Sequence, residues 1–209
     1  MATQITHTAL TERVFDQYFY KFDKQNFTIG ALFPDIRYIA GINRGITHFE
    51  NVGFQEILDE KNPFLAGMLY HSYIDKTRQQ WLTGNGIYDL IPYDYHWGQA
   101  LKFYEDRLYY DDVKNWSVIK DFLKKIIPEE LKFNIDSGVV KLWHDMLTNY
   151  FSFDPKTNTI LETSKKIGMP EDVATDINLH IEVIQKNKQI TDLCKQFHDD
   201  FETILKSTI

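Results

Sequence analysis

Apolar residues in this chain recur at three- and four-residue intervals, and that periodicity divides most of it into helices. A first helix is predicted from about Thr6 to Lys21, with Leu10, Val14, Phe15 and Tyr18 turned inward. Residues 26–49 contain Gly30, Pro34, Gly41 and Gly45 and read as loop, followed by a short helix around Gly53 to Leu58. The next helix is sharply punctuated: Asn62 suits the N-cap, Pro63 the first helical position and Gly84 the stop. Between Thr83 and Trp97 the chain reads as an aromatic loop with Gly and Pro. Further helices are predicted at about 97–110, 113–127, 136–151, 170–186 and 188–206. Strand signals are sparse, and no repeat, low-complexity tract or linker interrupts the pattern. The expectation is an all-α, single-domain bundle of about 7–9 helices over residues 1–209.

Composition narrows the function classes. A chain of 209 residues with 15% aromatics is long and apolar enough to bury a sizeable core. A formal charge of -7 argues against a nucleic-acid backbone as partner and against a polybasic membrane patch. The single cysteine, Cys194, excludes an intramolecular disulfide and a cysteine-based zinc site. The first residues lack the basic and apolar regions of a signal peptide. No stretch approaches the roughly 18 apolar residues of a membrane span. A soluble, cytoplasmic protein without a transmembrane segment is expected.

The candidate chemistry lies within one helix. His71 and Asp75 are four residues apart, hence on one face, which they share with Phe64, Gly67 and Met68. An imidazole and a carboxylate thus point into an apolar interior, where a lone ionised carboxylate is costly. Two solutions are open: a buried His–Asp hydrogen bond, or a metal ion. Upstream, His7, Asp35 and His48 are further nitrogen and oxygen donors of the kind that suit zinc, and also manganese or iron.

The order of these residues is distinctive: a histidine, then Gly30-x-x-x-Pro34-Asp35, then Thr47-His48, then Gly67-x-x-x-His71-x-x-x-Asp75. It resembles the zinc-dependent phospholipase C family, which includes the catalytic domain of glycosylphosphatidylinositol-specific phospholipase D, over about residues 5–82. The resemblance implies an all-α bundle distantly similar to that of the P1-type nucleases. It also implies one metal held by Asp35, His48, His71 and Asp75, with Asp75 bridging to a second metal that His7 binds. Asp35 and Asp75 then become the catalytic carboxylates, holding zinc ions that lower the pKa of water from about 15.7 to about 7. The metal-bound hydroxide would attack the phosphorus of a small phosphoester or phospholipid head group. The chain departs from the family after Asp75, where Lys76 to Leu82 offer no histidine for a third metal.

Other residues fit around this centre. Arg37 and Arg78 are candidates for holding a phosphate. His96 would line the substrate or complete a metal site, and Tyr88, Tyr93, Tyr95 and Trp97 would wall a pocket. Two alternatives stand beside the hydrolase. One is a helical interaction module with a structural or degenerate metal site. The other is an HD-domain-like phosphohydrolase centred on His144-Asp145.

Overall fold

The computed structural model describes residues 2–92, 94–152, 155, 160, 164 and 169–207, and every regular element among them is helical. The α-helices are α1 (Gln4–Val14), α2 (Lys24–Leu32), α3 (Arg37–Ala40), α4 (Arg44–Thr47), α5 (Phe54–Asp59), α6 (Pro63–Gly84), α7 (Tyr95–Tyr109), α8 (Trp116–Phe122), α9 (Ser137–Tyr150), α10 (Glu171–Ile184) and α11 (Lys188–Lys206).

Helix α6 is the axis of the molecule. Asn62 caps it by accepting from the amides of Phe64 and Leu65, and Pro63 occupies the first turn, where its missing N–H is harmless. The helix ends at Gly84, but Gly86 is the glycine that takes the left-handed conformation, at φ +72°. Every residue from Ala66 to Asp75 is buried, so the helix is enclosed all round rather than amphipathic. Phe64 and Met68 join a core cluster with Trp143 and Leu147 of α9. Tyr70 and Ile74 join a second with Phe197 and Phe201 of α11, and Leu82 a third with Ile177 and Ile181 of α10. One helix thereby ties all three cores together.

The stretch 26–49, expected as loop, is largely helical. Its punctuating residues sit where helices cross or end. The Asp23 carboxylate accepts from the Asn26 amide and starts α2. Pro34 opens a 3₁₀ turn, Phe33–Ile36, Gly41 ends α3 at φ +64°, and Asn43 caps α4. Gly30 stays inside α2 because α6 passes against it. A Cβ there would lie 2.1 Å from the Phe64 carbonyl oxygen, and a Cβ on Gly67 would lie 2.1 Å from that of Phe27. The two helices therefore meet backbone to backbone. Two other boundaries also shift. The first helix begins at Gln4 and, after Val14, widens into a π-turn over Phe15–Phe19. The predicted helix at 113–127 shortens to α8, capped by Asn115.

The start of α1 is anchored from α7. Thr3 stands at the N-cap position without making a side-chain cap bond. The acceptor is instead Asp106, which takes the Thr6 amide at 3.1 Å, the Thr6 hydroxyl at 3.0 Å, and the hydroxyls of Thr3 and Tyr150. Burial pushes the Asp106 carboxyl up and its four donors pull it down, leaving it at about 7 against an ordinary 3.8. A raised carboxyl pKa favours the fold most below pH 4 and loses that contribution as pH rises through about 7.

Three outcomes follow from this packing. Gly30→Ala and Gly67→Ala should each lower stability by at least about 2 kcal/mol in chemical denaturation, because neither backbone can give way. Gly98→Ala in α7, where an added Cβ meets nothing within 4 Å, should instead raise it by up to about 1 kcal/mol. Between about pH 4 and pH 8, the native protein should lose up to about 4 kcal/mol relative to Asp106→Asn. A stability difference that does not vary with pH would mean that Asp106 is ionised throughout.

Candidate metal centre

The α2–α6 contact, the turns that follow α2, and α1 bring His7, Asp35, His48, His71 and Asp75 together. Two overlapping donor groups result, His7/His71/Asp75 and Asp35/His48/His71, with the donor atoms of each within 4.8 Å of one another. All five side chains are buried. The two carboxylate oxygens of Asp75 face different partners. Oδ1 lies 3.5 Å from His7 Nε2, while Oδ2 lies 3.7 Å from His71 Nε2 and 3.9 Å from His48 Nε2. Asp35 Oδ1 is 3.6 Å from His48 Nε2. Tetrahedral bonds of about 2.1 Å would place neighbouring donors about 3.4 Å apart, close to the spacing found here.

The outer contacts fix which ring nitrogens face inward. His71 Nδ1 donates to the Ala31 carbonyl at 2.8 Å, so Nε2 carries the lone pair. The Thr47 hydroxyl donates to the Pro34 carbonyl at 2.9 Å and must therefore accept from His48 Nδ1, 3.1 Å away. His48 Nε2 thus also presents a lone pair. Among the described residues, neither of these nitrogens, nor either nitrogen of His7, has a hydrogen-bond partner. The carboxylates are oriented as well: Gln4 donates to Asp35 Oδ2 at 2.7 Å and the Ala2 amide to Asp75 Oδ1 at 2.7 Å. His7 stacks on His71 with ring centroids 3.8 Å apart.

Electrostatics sets the protonation of the donors. Burial, reinforced by the neighbouring His71, lowers His7 to about 4, and burial likewise pulls His48 down. Burial pushes Asp35 up, but the adjacent His48 ring and the charge of His71 outweigh it and hold the carboxyl below its ordinary value. Asp75 is held well below its ordinary value by His7 and His71, again against burial. Neutral imidazoles and ionised carboxylates are the forms that bind a metal. Lone pairs and carboxylate oxygens that face one another in a buried site repel, and a cation between them removes the repulsion. The residues present fit such an ion.

No protein-family model, curated protein or solved structure matches this chain. What it can do is therefore read from its own geometry. A cleft of about 960 Å³ reaches Ala2, Gln4 and Asp35 at the edge of the donor cluster. Its walls include Ile39, Phe103, Trp143, Met146 and Tyr150, together with Tyr88 and Tyr95 of the predicted aromatic loop. Trp97 packs instead on the His180 ring, and Tyr93 lies outside the described residues.

The remaining sequence candidates are placed less centrally. Arg78 lines the cleft, but its Nε donates to both oxygens of Glu105, at 3.0 and 2.7 Å, in a fully buried pair. Arg37 lies over the Tyr38 ring. His96 borders the cleft with Nδ1 bonded to Asp176, away from the donor cluster. His144 and Asp145 point in opposite directions. The former is buried against Glu130 at 2.7 Å and the latter is exposed and paired with Lys141, so they form no HD-type pair. Sequence reasoning missed Gln4 and Arg44, whose guanidinium lies 3.5 Å from Asp75 Oδ2, and named Thr47 in the Thr-His motif without its role in orienting His48. For Thr47 a signal existed: it directly precedes His48.

His71 belongs to both donor groups, so His71→Ala should abolish retention of zinc, measured as equivalents per chain by elemental mass spectrometry. Thr47→Val removes only the hydroxyl that orients His48. It should weaken zinc about 10- to 100-fold in a competitive chelator titration without unfolding the protein. Unchanged zinc content in His71→Ala would rule out this cluster as the site.

Proposed function

We propose that this protein is a metal-dependent phosphoester hydrolase, with the cleft as its substrate site. The observation that carries this reading is the convergence of five nitrogen- and oxygen-donor residues, four of whose ring nitrogens have no hydrogen-bond partner among the described residues, at the edge of a cleft sized for a small ligand. The ordered motifs from His7 to Asp75, similar to those of the zinc-dependent phospholipases C, supply the reaction class. When bound, one or two divalent cations (zinc first, manganese or iron as alternatives) activate water at neutral pH and neutralise phosphoryl charge. Asp75, whose two oxygens face different histidines, would be a ligand on this reading. Asp35, His48 and His71 complete one ligand set, and His7 faces the other. Gln4, the Ala2 amide, Thr47 and the Ala31 carbonyl hold these ligands in position, and the apolar cleft walls exclude water. Among the described residues no helix is long and apolar enough to cross a membrane, in keeping with a cytoplasmic enzyme acting on a soluble or head-group phosphoester.

The second reading is a helical interaction module whose metal is structural, favoured by the near-complete burial of the ligands. Hydrolysis of bis(p-nitrophenyl) phosphate by the zinc-loaded protein separates the two. The hydrolase should turn it over, and both Asp75→Asn and a chelator should cut the rate at least about a hundredfold. Full zinc occupancy without hydrolysis of this or other phosphodiesters would leave the structural role.

A further inference from the structure

Helix α7 presents one stripe to the cleft: Tyr95, then Gly98 and Gln99, then Lys102 and Phe103, a turn apart each time. Lys102 stands out in that stripe. It is half-buried, yet among the described residues it has neither a hydrogen bond nor an ion pair. The other charged groups lining the cleft are committed: Arg78 to Glu105, Asp94 to capping α7 at the Trp97 amide, and Asp35 to the donor cluster. Burial and, after it, the Arg78 guanidinium lower the pKa of the Lys102 ammonium, while Asp75, Asp35 and Glu105 act in the opposite direction. An ammonium partly withdrawn from water without a counter-ion is costly, and an incoming anion offsets that cost. The same cleft is lined by Ile39, Trp143 and Met146, which share a core cluster with Phe103, the residue that follows Lys102, a surface suited to an apolar group.

We propose that Lys102 is the anion-binding residue of this cleft, its ammonium taking a phosphoryl oxygen of a substrate whose ester group lies against Ile39, Phe103, Trp143 and Met146. This deepens the phosphoester reading and rests on it: the substrate is a phosphoester with a compact apolar substituent rather than a highly polar one. Lys102 acts as a point charge on one oxygen, so arginine replaces it in charge and in part in position.

The test is calorimetric titration of inorganic phosphate and of phenylphosphonate into the zinc-loaded native protein, Lys102→Met and Lys102→Arg. Zinc content and melting temperature should be the same in all three. The native protein should bind phenylphosphonate more tightly than phosphate. Lys102→Met should weaken both about 10- to 100-fold while preserving their ratio, because the apolar wall is untouched. Lys102→Arg should recover much of the loss. Phosphatidylcholine vesicles added as competitor assign the phosphoryl group to a lipid head group if they displace phenylphosphonate, and to a soluble ester if they do not. Native-like affinity in Lys102→Met, with both anions binding the native protein, would overturn the role of Lys102 alone. Failure of the zinc-loaded native protein to bind either anion would overturn this proposal and the phosphoester reading together.

Discussion

The close approach of α2 and α6 is the constraint on which the rest of the structure depends. Two glycines let the backbones touch, and neither position has room for even a methyl group. That contact sets the Ala31 carbonyl against His71 and so chooses the tautomer of the histidine common to both donor groups. It also delivers the Pro34–Asp35 turn to the same spot, and with it the carbonyl that orients Thr47 and, through Thr47, His48. A packing detail between two helices thus becomes the geometry of three potential ligands. Helix propensity alone would favour alanine at both sites. The fold gives up that preference for proximity.

The opposing cost is the burial of charge. Two carboxylates and three imidazoles occupy a buried region at the edge of the cleft, where burial lowers His7 and the neighbouring histidines hold Asp75 ionised. The surrounding framework offsets them in part, with the Arg44 guanidinium 3.5 Å from Asp75 Oδ2. It fixes their outer atoms through Gln4, Thr47 and backbone groups and leaves the inner atoms turned toward one another. The buried His144 is treated differently: it is satisfied on both nitrogens, by Glu130 and the Leu123 carbonyl.

Much of this organisation could be read in the sequence, for physical reasons that vary by element. The long central helix declared itself through Asn62, Pro63 and its unbroken apolar run, and the later helices through their periodicity. His71 and Asp75 were visible because helical spacing alone puts them on one face. The segment after Asp23 misled because glycine and proline mark loops only when they are not serving a helix crossing or a first turn, and sequence does not distinguish these uses. Contacts distant in the chain were hidden for a different reason. Arg78 reads as a free phosphate ligand until Glu105 is seen beside it, and Asp106, as anchor of α1, lies a hundred residues from the amide it accepts. Lys102 carried no local signal at all. Its interest lies in what its surroundings lack.

The anchoring of α1 has a consequence for how the chain is made. All five donor residues lie within the first 75 positions and are therefore synthesised early. Yet His7 is held in place through the Thr6 amide and hydroxyl, which need Asp106, and Asp106 is in turn bound by Tyr150. Until that far half arrives, the growing chain can offer the His48, His71, Asp35 and Asp75 group but not a settled His7. A fragment that ends before Asp106 would lack the anchor of His7 and hold an incomplete donor cluster.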